Sequence, residues 1–112
     1  MPRIPKNRAP TPPGEMLLEE FLMPMGLTQV DLANGLGVTY ARVNEIINGK
    51  RGITPETALR LEKFLGVSAE SWVSMQLAQD LYEAKHSKTA REIERIKPAP
   101  HVEEWLHAEA YL

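Results

Sequence analysis

The sequence has no cysteine, few aromatic residues and no long apolar stretch. Without cysteine, the chain can form neither disulfide bonds nor a thiolate site for a metal ion. No apolar run approaches the roughly 18 residues that a membrane-spanning helix needs, and no hydrophobic segment of a secretory signal follows the basic N-terminus. These absences predict a cytoplasmic protein that does not cross a membrane.

The composition is that of an ordinary globular domain. The 112 residues are 43% hydrophobic and 25% charged, which suffices for one domain with a modest core. The net charge of −2 argues against a protein that coats nucleic acid without specificity. The segment from 25 to 53 is nevertheless slightly positive, with Arg42, Lys50 and Arg51 against Asp31 and Glu45. A weakly acidic protein can still bind DNA if its positive charge lies on one face.

Capping residues and glycines mark the expected helices. Apolar residues at helical spacing predict a first helix from Gly14 to Leu22, which Pro24 and Gly26 then stop. Four further helices are expected to begin after N-capping side chains, namely Thr28, Thr39, Thr54 and Ser68. The fold predicted is an all-α, five-helix domain over residues 14–86. A flexible arm (1–13) precedes this domain and a C-terminal extension (87–112) follows it.

Two of these short helices have the spacing of a helix-turn-helix, in which a turn of three to four residues joins them. Ala33 is small at the position where the two helices would cross closely. Gly37 lies where the turn requires positive φ, which is cheap only for glycine. Val43 is expected to point inward between the two helices. Each residue is common, but the spacing is characteristic.

The second of the two helices predicts a face for DNA. At about 100° per residue, Val43, Ile46 and Ile47 cluster on one side, and amide, carboxylate, methyl and guanidinium groups occupy the other. Asn, Arg, Glu and Ala can each pair with a particular base edge in the major groove. The candidate DNA-binding residues are Gln29, Thr39, Tyr40, Ala41, Arg42, Asn44, Glu45, Asn48, Lys50 and Arg51.

Within this set, the residue types suggest two roles. Base contacts are expected from Arg42, Asn44 and Asn48, and phosphate contacts from Gln29, Thr39, Lys50 and Arg51. The alternative is an ordinary solvated face on a small helical bundle.

The stretch from Leu27 to Val67 resembles the Xre, or lambda-repressor-like, helix-turn-helix family. A narrower similarity, to the HigA (also called VapI) antitoxins, rests on PGEMLLEEFL (13–22), NEIINGKRGITPETALRL (44–61), Ser71-Trp72 and Gln76 through Leu81. That resemblance implies a dimeric repressor of its own operon that binds operator DNA and a HigB-type ribonuclease toxin. The arm and the extension lie outside the pattern.

The long helix after Ser68 predicts a subunit interface. Its apolar residues spread over roughly 200°, about twice the width that a surface helix on one core needs. The candidate interface residues of a two-fold homodimer are Trp72, Leu77, Leu81 and Tyr82. The alternative is a helix buried centrally in a monomer.

The first helix carries the candidate toxin-binding residues. Glu15, Glu19 and Glu20 form an acidic surface, and the toxins implied by the resemblance are basic. The basic arm, with Arg3, Lys6 and Arg8, immediately precedes them. The alternative is that the glutamates serve only the helix dipole and solubility.

The sequence offers no catalytic or cofactor-binding pattern. No phosphate-binding or dinucleotide-binding loop and no nucleophile elbow occurs, so no enzyme activity, cofactor or metal is expected. The cluster His101, Glu103, Glu104 and His107 is more typical of a solvated helix face than of a metal site. The alternative functions are a free-standing repressor without a toxin and a protein-interaction module whose DNA-binding face has decayed.

Overall fold

A computed structural model describes residues 9–100 of the chain. The first helix, α1, is continuous over three segments: an α-helical start (Pro13–Met16), a π-helical middle (Leu17–Leu22) and a final turn (Met23–Met25). It begins one residue before the predicted start, because the fixed φ of Pro13 suits the first helical position. The tail residues His101, Glu103, Glu104, Trp105 and His107 lie outside the described part.

Within the described part of the chain, five helices follow α1. They are α2 (Gln29–Leu36), α3 (Tyr40–Ile47), α4 (Pro55–Leu65), α5 (Ala69–Lys85) and the short α6 (Ala90–Glu94). Residues 9–100 contain no strand, and the all-α prediction is confirmed. The sixth helix falls within the predicted extension and was not expected.

The four predicted N-caps are confirmed. Thr28, Thr39, Thr54 and Ser68 each accept a hydrogen bond from the backbone N–H three residues on. At Thr28 the arrangement is reciprocal, because its own N–H donates to the carboxylate of Asp31 at 2.9 Å. That bond and the Thr28 hydroxyl hold the pKa of Asp31 below its ordinary value.

The first helix continues past Pro24, which was expected to stop it. Pro24 lacks an N–H, and in an α-helix its ring would collide with the carbonyl four residues earlier. Here the neighbouring bonds span five residues: Met23 N–H binds Leu18 O, and Leu27 N–H binds Leu22 O at 2.9 Å. This wider turn moves the obstructing carbonyl away from the ring. The helix therefore ends only at Gly26, whose φ is +66°.

The inward faces of α1 to α5 pack together in one core. Its fully buried side chains include Leu17, Leu22, Leu32, Leu61 and Trp72. The indole of Trp72 lies 5.5 Å from the ring of Phe21, measured between centroids. Trp72 is 0% exposed in a single chain, so its prediction as an interface residue is wrong. The side chain has no surface left for a second subunit.

Candidate nucleic-acid interface

Helices α2 and α3 form the predicted helix-turn-helix. Gly37 ends α2 with a φ of +71°, and Thr39 then caps α3, so the turn is as short as the sequence predicted. Ala33 and Val43 are both buried at the crossing of the two helices. The outward face of α3 is thereby held at a fixed angle to α2, which is the arrangement that places one helix in a DNA major groove.

The outward face of α3 is rich in hydrogen-bonding groups. Tyr40, Ala41 and Asn48 are exposed, while Asn44 and Glu45 are half-buried. Val43 and Ile46 point into the core, as their angular positions predicted. The exposed groups therefore present a methyl, a phenol and an amide along two turns of helix.

Three carboxamides on this face form a hydrogen-bonded row. Asn48 donates to Asn44 at 3.1 Å, and Asn44 donates to Gln29 at 3.0 Å. Gln29 is the first residue of α2, so the row also links the two helices. At its ends, the Gln29 amide nitrogen and the Asn48 amide oxygen remain for an external partner. The sequence did not reveal this row, because Gln29 and Asn44 are 15 residues apart.

Arg42 does not belong to the exposed face. Its guanidinium turns towards α4 and donates to Thr57 at 2.6 Å and to Glu56 at 3.3 Å. The guanidinium of Arg42, followed by that of Arg60, lowers the pKa of the Glu56 carboxyl. Because Arg42 joins α3 to α4, we correct its expected role from a base contact to a structural link.

A cationic loop follows α3 directly. Lys50 and Arg51 are exposed, and their backbone N–H groups both bind the carbonyl of Glu45, at 2.8 and 3.2 Å. The Arg51 side chain also reaches the Glu45 carboxylate at 3.3 Å. Gly49, with a φ of +73°, allows this tight reversal. Two positive charges therefore lie at the C-terminal end of α3, next to its polar face.

The start of α1 lies against the same loop. A Cβ on Gly14 would collide with the backbone carbonyl of Ile46, so only glycine allows this close approach. Residues 12–14 and 49–54 line one cleft of about 480 Å³. The start of α1 and the cationic loop therefore share this cleft.

The known proteins most relevant to this geometry are bacterial antitoxins. A family profile described as "Helix-turn-helix" matches residues 18–72. "Virulence-associated protein I" of Dichelobacter nodosus is 50% identical over 84 residues, covering 74% of this chain and 78% of the relative. The structure titled as an addiction module antidote protein of a HigA family, from Coxiella burnetii, is 39% identical with a TM-score of 0.75, covering 82% of this chain and 100% of its own. The chain belongs to the HigA family.

A second HigA structure contains DNA. It is titled "Pseudomonas aeruginosa antitoxin HigA with higBA promoter", and it matches with 34% identity and a TM-score of 0.75. The match covers 80% of this chain and 97% of that one. The resemblance inferred from residues 13–81 is therefore confirmed.

This HigA-family chain carries an exposed apolar strip on α5. Leu77 and Leu81 are 56% and 49% exposed and follow one another by a helical turn. Tyr82 is half-buried and stacks on His86 with 4.1 Å between ring centroids. At the start of the strip, Val73 and Leu59 line an apolar groove between α5 and α4.

The acidic residues of α1 lie on its outer side. Glu15, Glu19 and Glu20 are all exposed, and Met23 and Met25 continue the exposed surface to the end of the helix. The arm residues Arg3, Lys6 and Arg8 lie outside the described residues. Between residues 9 and 100, no helix is long and apolar enough to cross a membrane.

Proposed function

We propose that this protein is a cytoplasmic antitoxin without enzyme activity or cofactor, which neutralises a ribonuclease toxin and represses its own operon. It binds double-stranded operator DNA as a homodimer, with one α3 helix in the major groove of each half-site. The observation that carries this proposal is the polar outer face of α3 with the cationic loop directly behind it. The antitoxin names of its relatives support the toxin partner over a free-standing repressor.

The DNA contacts divide into two classes by position. The residues that face the base edges are the exposed Tyr40, Ala41 and Asn48 and the half-buried Asn44 and Glu45, with Asn48 the most accessible amide. Phosphate contacts come from Gln29 and Thr39 at helix N-termini and from Lys50 and Arg51 in the loop. Arg42, which is tied to α4, is left out of both classes.

Asn48→Ala is expected to relax sequence preference at one operator position. The loss of a base-contacting amide costs about 1–3 kcal/mol at that base pair. Compared with the parent protein, the variant should lose far less affinity for operators that already differ at that base pair than for the native operator. The measurement is a binding titration against a panel of single-base operator variants.

Lys50→Ala provides the matched contrast. The removal of a phosphate contact weakens binding to all sequences alike and lowers the salt slope of log K by about one. Identical behaviour of the two variants in both assays would refute the division into base and phosphate contacts. Full affinity and preference in a variant lacking Asn44 and Asn48 would show that α3 does not contact the bases.

The dimer is expected to form through α5. Its exposed strip (Leu77 and Leu81) continues through the half-buried Val73 into the groove next to Leu59, which makes one apolar surface on two helices. A two-fold dimer buries the same surface on both subunits and matches a palindromic operator. Tyr82, at the edge of the strip, is the polar boundary of this interface.

The acidic side of α1 is the proposed toxin surface. Reversal of charge at Glu19 and Glu20 to lysine is expected to weaken binding of the basic toxin at least about tenfold, because complementary charges steer and hold the complex. Operator affinity should stay unchanged, since both side chains point away from the protein interior and lie further along α1 than Glu15. The measurement is calorimetry with the product of the neighbouring gene.

The matched control reverses two charges elsewhere. Glu92 and Glu94 are exposed on α6, and their replacement by lysine changes the net charge by the same amount. Equal weakening by both pairs would indicate a non-specific charge effect and refute docking on α1. Co-purification with the neighbouring gene product, followed by a shift assay on the operon's promoter, separates an antitoxin from a free-standing repressor.

A further inference from the structure

Helix α5 contacts the cationic loop through the side chain of Gln76. The Gln76 amide oxygen accepts a hydrogen bond from the backbone N–H of Ile53 at 2.8 Å. Its amide nitrogen donates to the Asp80 carboxylate, one turn further along α5, at 2.9 Å. Asp80 therefore orients the amide so that its oxygen faces the loop. Gln76 is half-buried, and the N–H that it binds belongs to a core residue that is 4% exposed.

The loop is shaped to receive this side chain. A Cβ on Gly52 would lie 3.1 Å from the amide carbon and nitrogen of Gln76, closer than an ordinary contact. A side chain at position 52 would thus require the Gln76 amide to shift by a few tenths of an ångström. Two independent features therefore belong to this close contact. Gly52 leaves room beside the Ile53 N–H, and Asp80 orients the Gln76 amide towards it.

Gln76 also lies beside the proposed subunit interface. It precedes Leu77 on α5, so one helix carries the loop contact on one side and the apolar strip on the adjacent side. We infer that Gln76 is a positioning residue that fixes the Lys50–Ile53 loop in its DNA-binding conformation and links that conformation to α5. This inference rests on the proposed function, since it assumes that Lys50 and Arg51 contact phosphate.

Gln76→Met tests the inference in the full-length chain. Methionine keeps the length of the side chain but can replace neither hydrogen bond. Operator affinity should fall roughly three- to tenfold, the effect of one net hydrogen bond, and the salt slope of log K should fall by about one. A general loss of stability would lower the active fraction but leave that slope unchanged. Gly52→Ala, which crowds the same amide from the loop side, should lower affinity in the same direction but by less.

Gln79 supplies a matched control. It is also a glutamine of α5 and lines the same cleft, but among the residues that the structure describes its amide bonds only Glu83 of its own helix, at 3.2 Å. Gln79→Met should leave both the affinity and the salt slope at the level of the parent protein. Equal losses in the two variants would overturn a specific role for Gln76.

Hydrogen exchange of the Ile53 amide gives a second measurement that needs no DNA. Exchange should be at least about tenfold faster in Gln76→Met than in Gln79→Met, because the N–H loses its acceptor. Unchanged exchange would overturn the inference, and so would faster exchange with full operator affinity. If the parent protein bound no operator, the proposed function would fail, and the exchange rates would still decide whether Gln76 holds the loop.

A double variant connects the two effects. If Gln76 acts through Lys50, Gln76→Met combined with Lys50→Ala should weaken operator binding by less than the product of the single losses. A loss equal to that product would show that Gln76 acts independently of the loop and would overturn the inference.

Discussion

A chain carrying both Leu77→Asp and Leu81→Asp is expected to sediment as a monomer and to bind its operator about 10²–10⁴-fold more weakly. Each leucine is half exposed in one chain, and full burial of such a side chain contributes about 1.5–3 kcal/mol. Aspartate removes that contribution and places like charges opposite one another across a two-fold axis. A monomer contacts one half-site only and loses the benefit of two linked contacts.

Met23→Asp with Met25→Asp is the matched control. These methionines are 68% and 55% exposed and lie on α1, so the same charge is added to a surface of similar exposure outside the proposed interface. Sedimentation velocity and an operator titration compare the two double variants, and circular dichroism checks that both are folded. A folded α5 variant that stays dimeric would exclude the strip as the interface.

Trp72→Ala is expected to lower the free energy of unfolding by about 3–5 kcal/mol. The indole is fully buried, contacts Phe21 and fills the centre of a small core, so its loss leaves a cavity. Such a decrease is a large part of the stability of a domain of this size. Chemical denaturation monitored by circular dichroism measures the change.

Trp72→Phe separates packing from the polar group of the indole. Within residues 9–100, no group accepts a hydrogen bond from the buried Trp72 Nε1, so phenylalanine keeps an aromatic ring beside Phe21 and removes that donor. We expect a clearly smaller loss of stability than with alanine. If Trp72→Ala instead dissociated the dimer without lowering the unfolding free energy, Trp72 would belong to the interface after all.

Local chemistry made the helix boundaries predictable. A capping hydroxyl and the backbone N–H that it binds are three residues apart, so Thr28, Thr39, Thr54 and Ser68 mark helix starts without knowledge of the fold. The prediction that Pro24 stops the first helix was wrong, because it depends on the geometry of the preceding turn. A proline predicts a stop if the preceding turn is α-helical, and nothing in the residue types announces the π-helical turn that accommodates it.

The positions of some side chains depend on contacts with residues far away in the chain, and these could not be predicted from the sequence. Angular position placed Val43 and Ile46 inside and Asn48 outside correctly, because one helix has one buried side. It counted the Arg42 guanidinium among the outward groups, and only the position of Thr57 on α4 decides that it turns inward. Trp72 was expected at the subunit interface, but it is buried against Phe21, which is 51 residues earlier in the chain.

The contact between Gly14 and Ile46 has a practical consequence for handling this protein. The chain arrives at α1 beside the loop that carries Lys50 and Arg51. A purification tag fused before residues 12–14 is therefore tethered within reach of the proposed operator-binding side of the molecule. A histidine-rich or basic tag left there would add its own affinity for phosphate, so binding constants should be measured after its removal by protease.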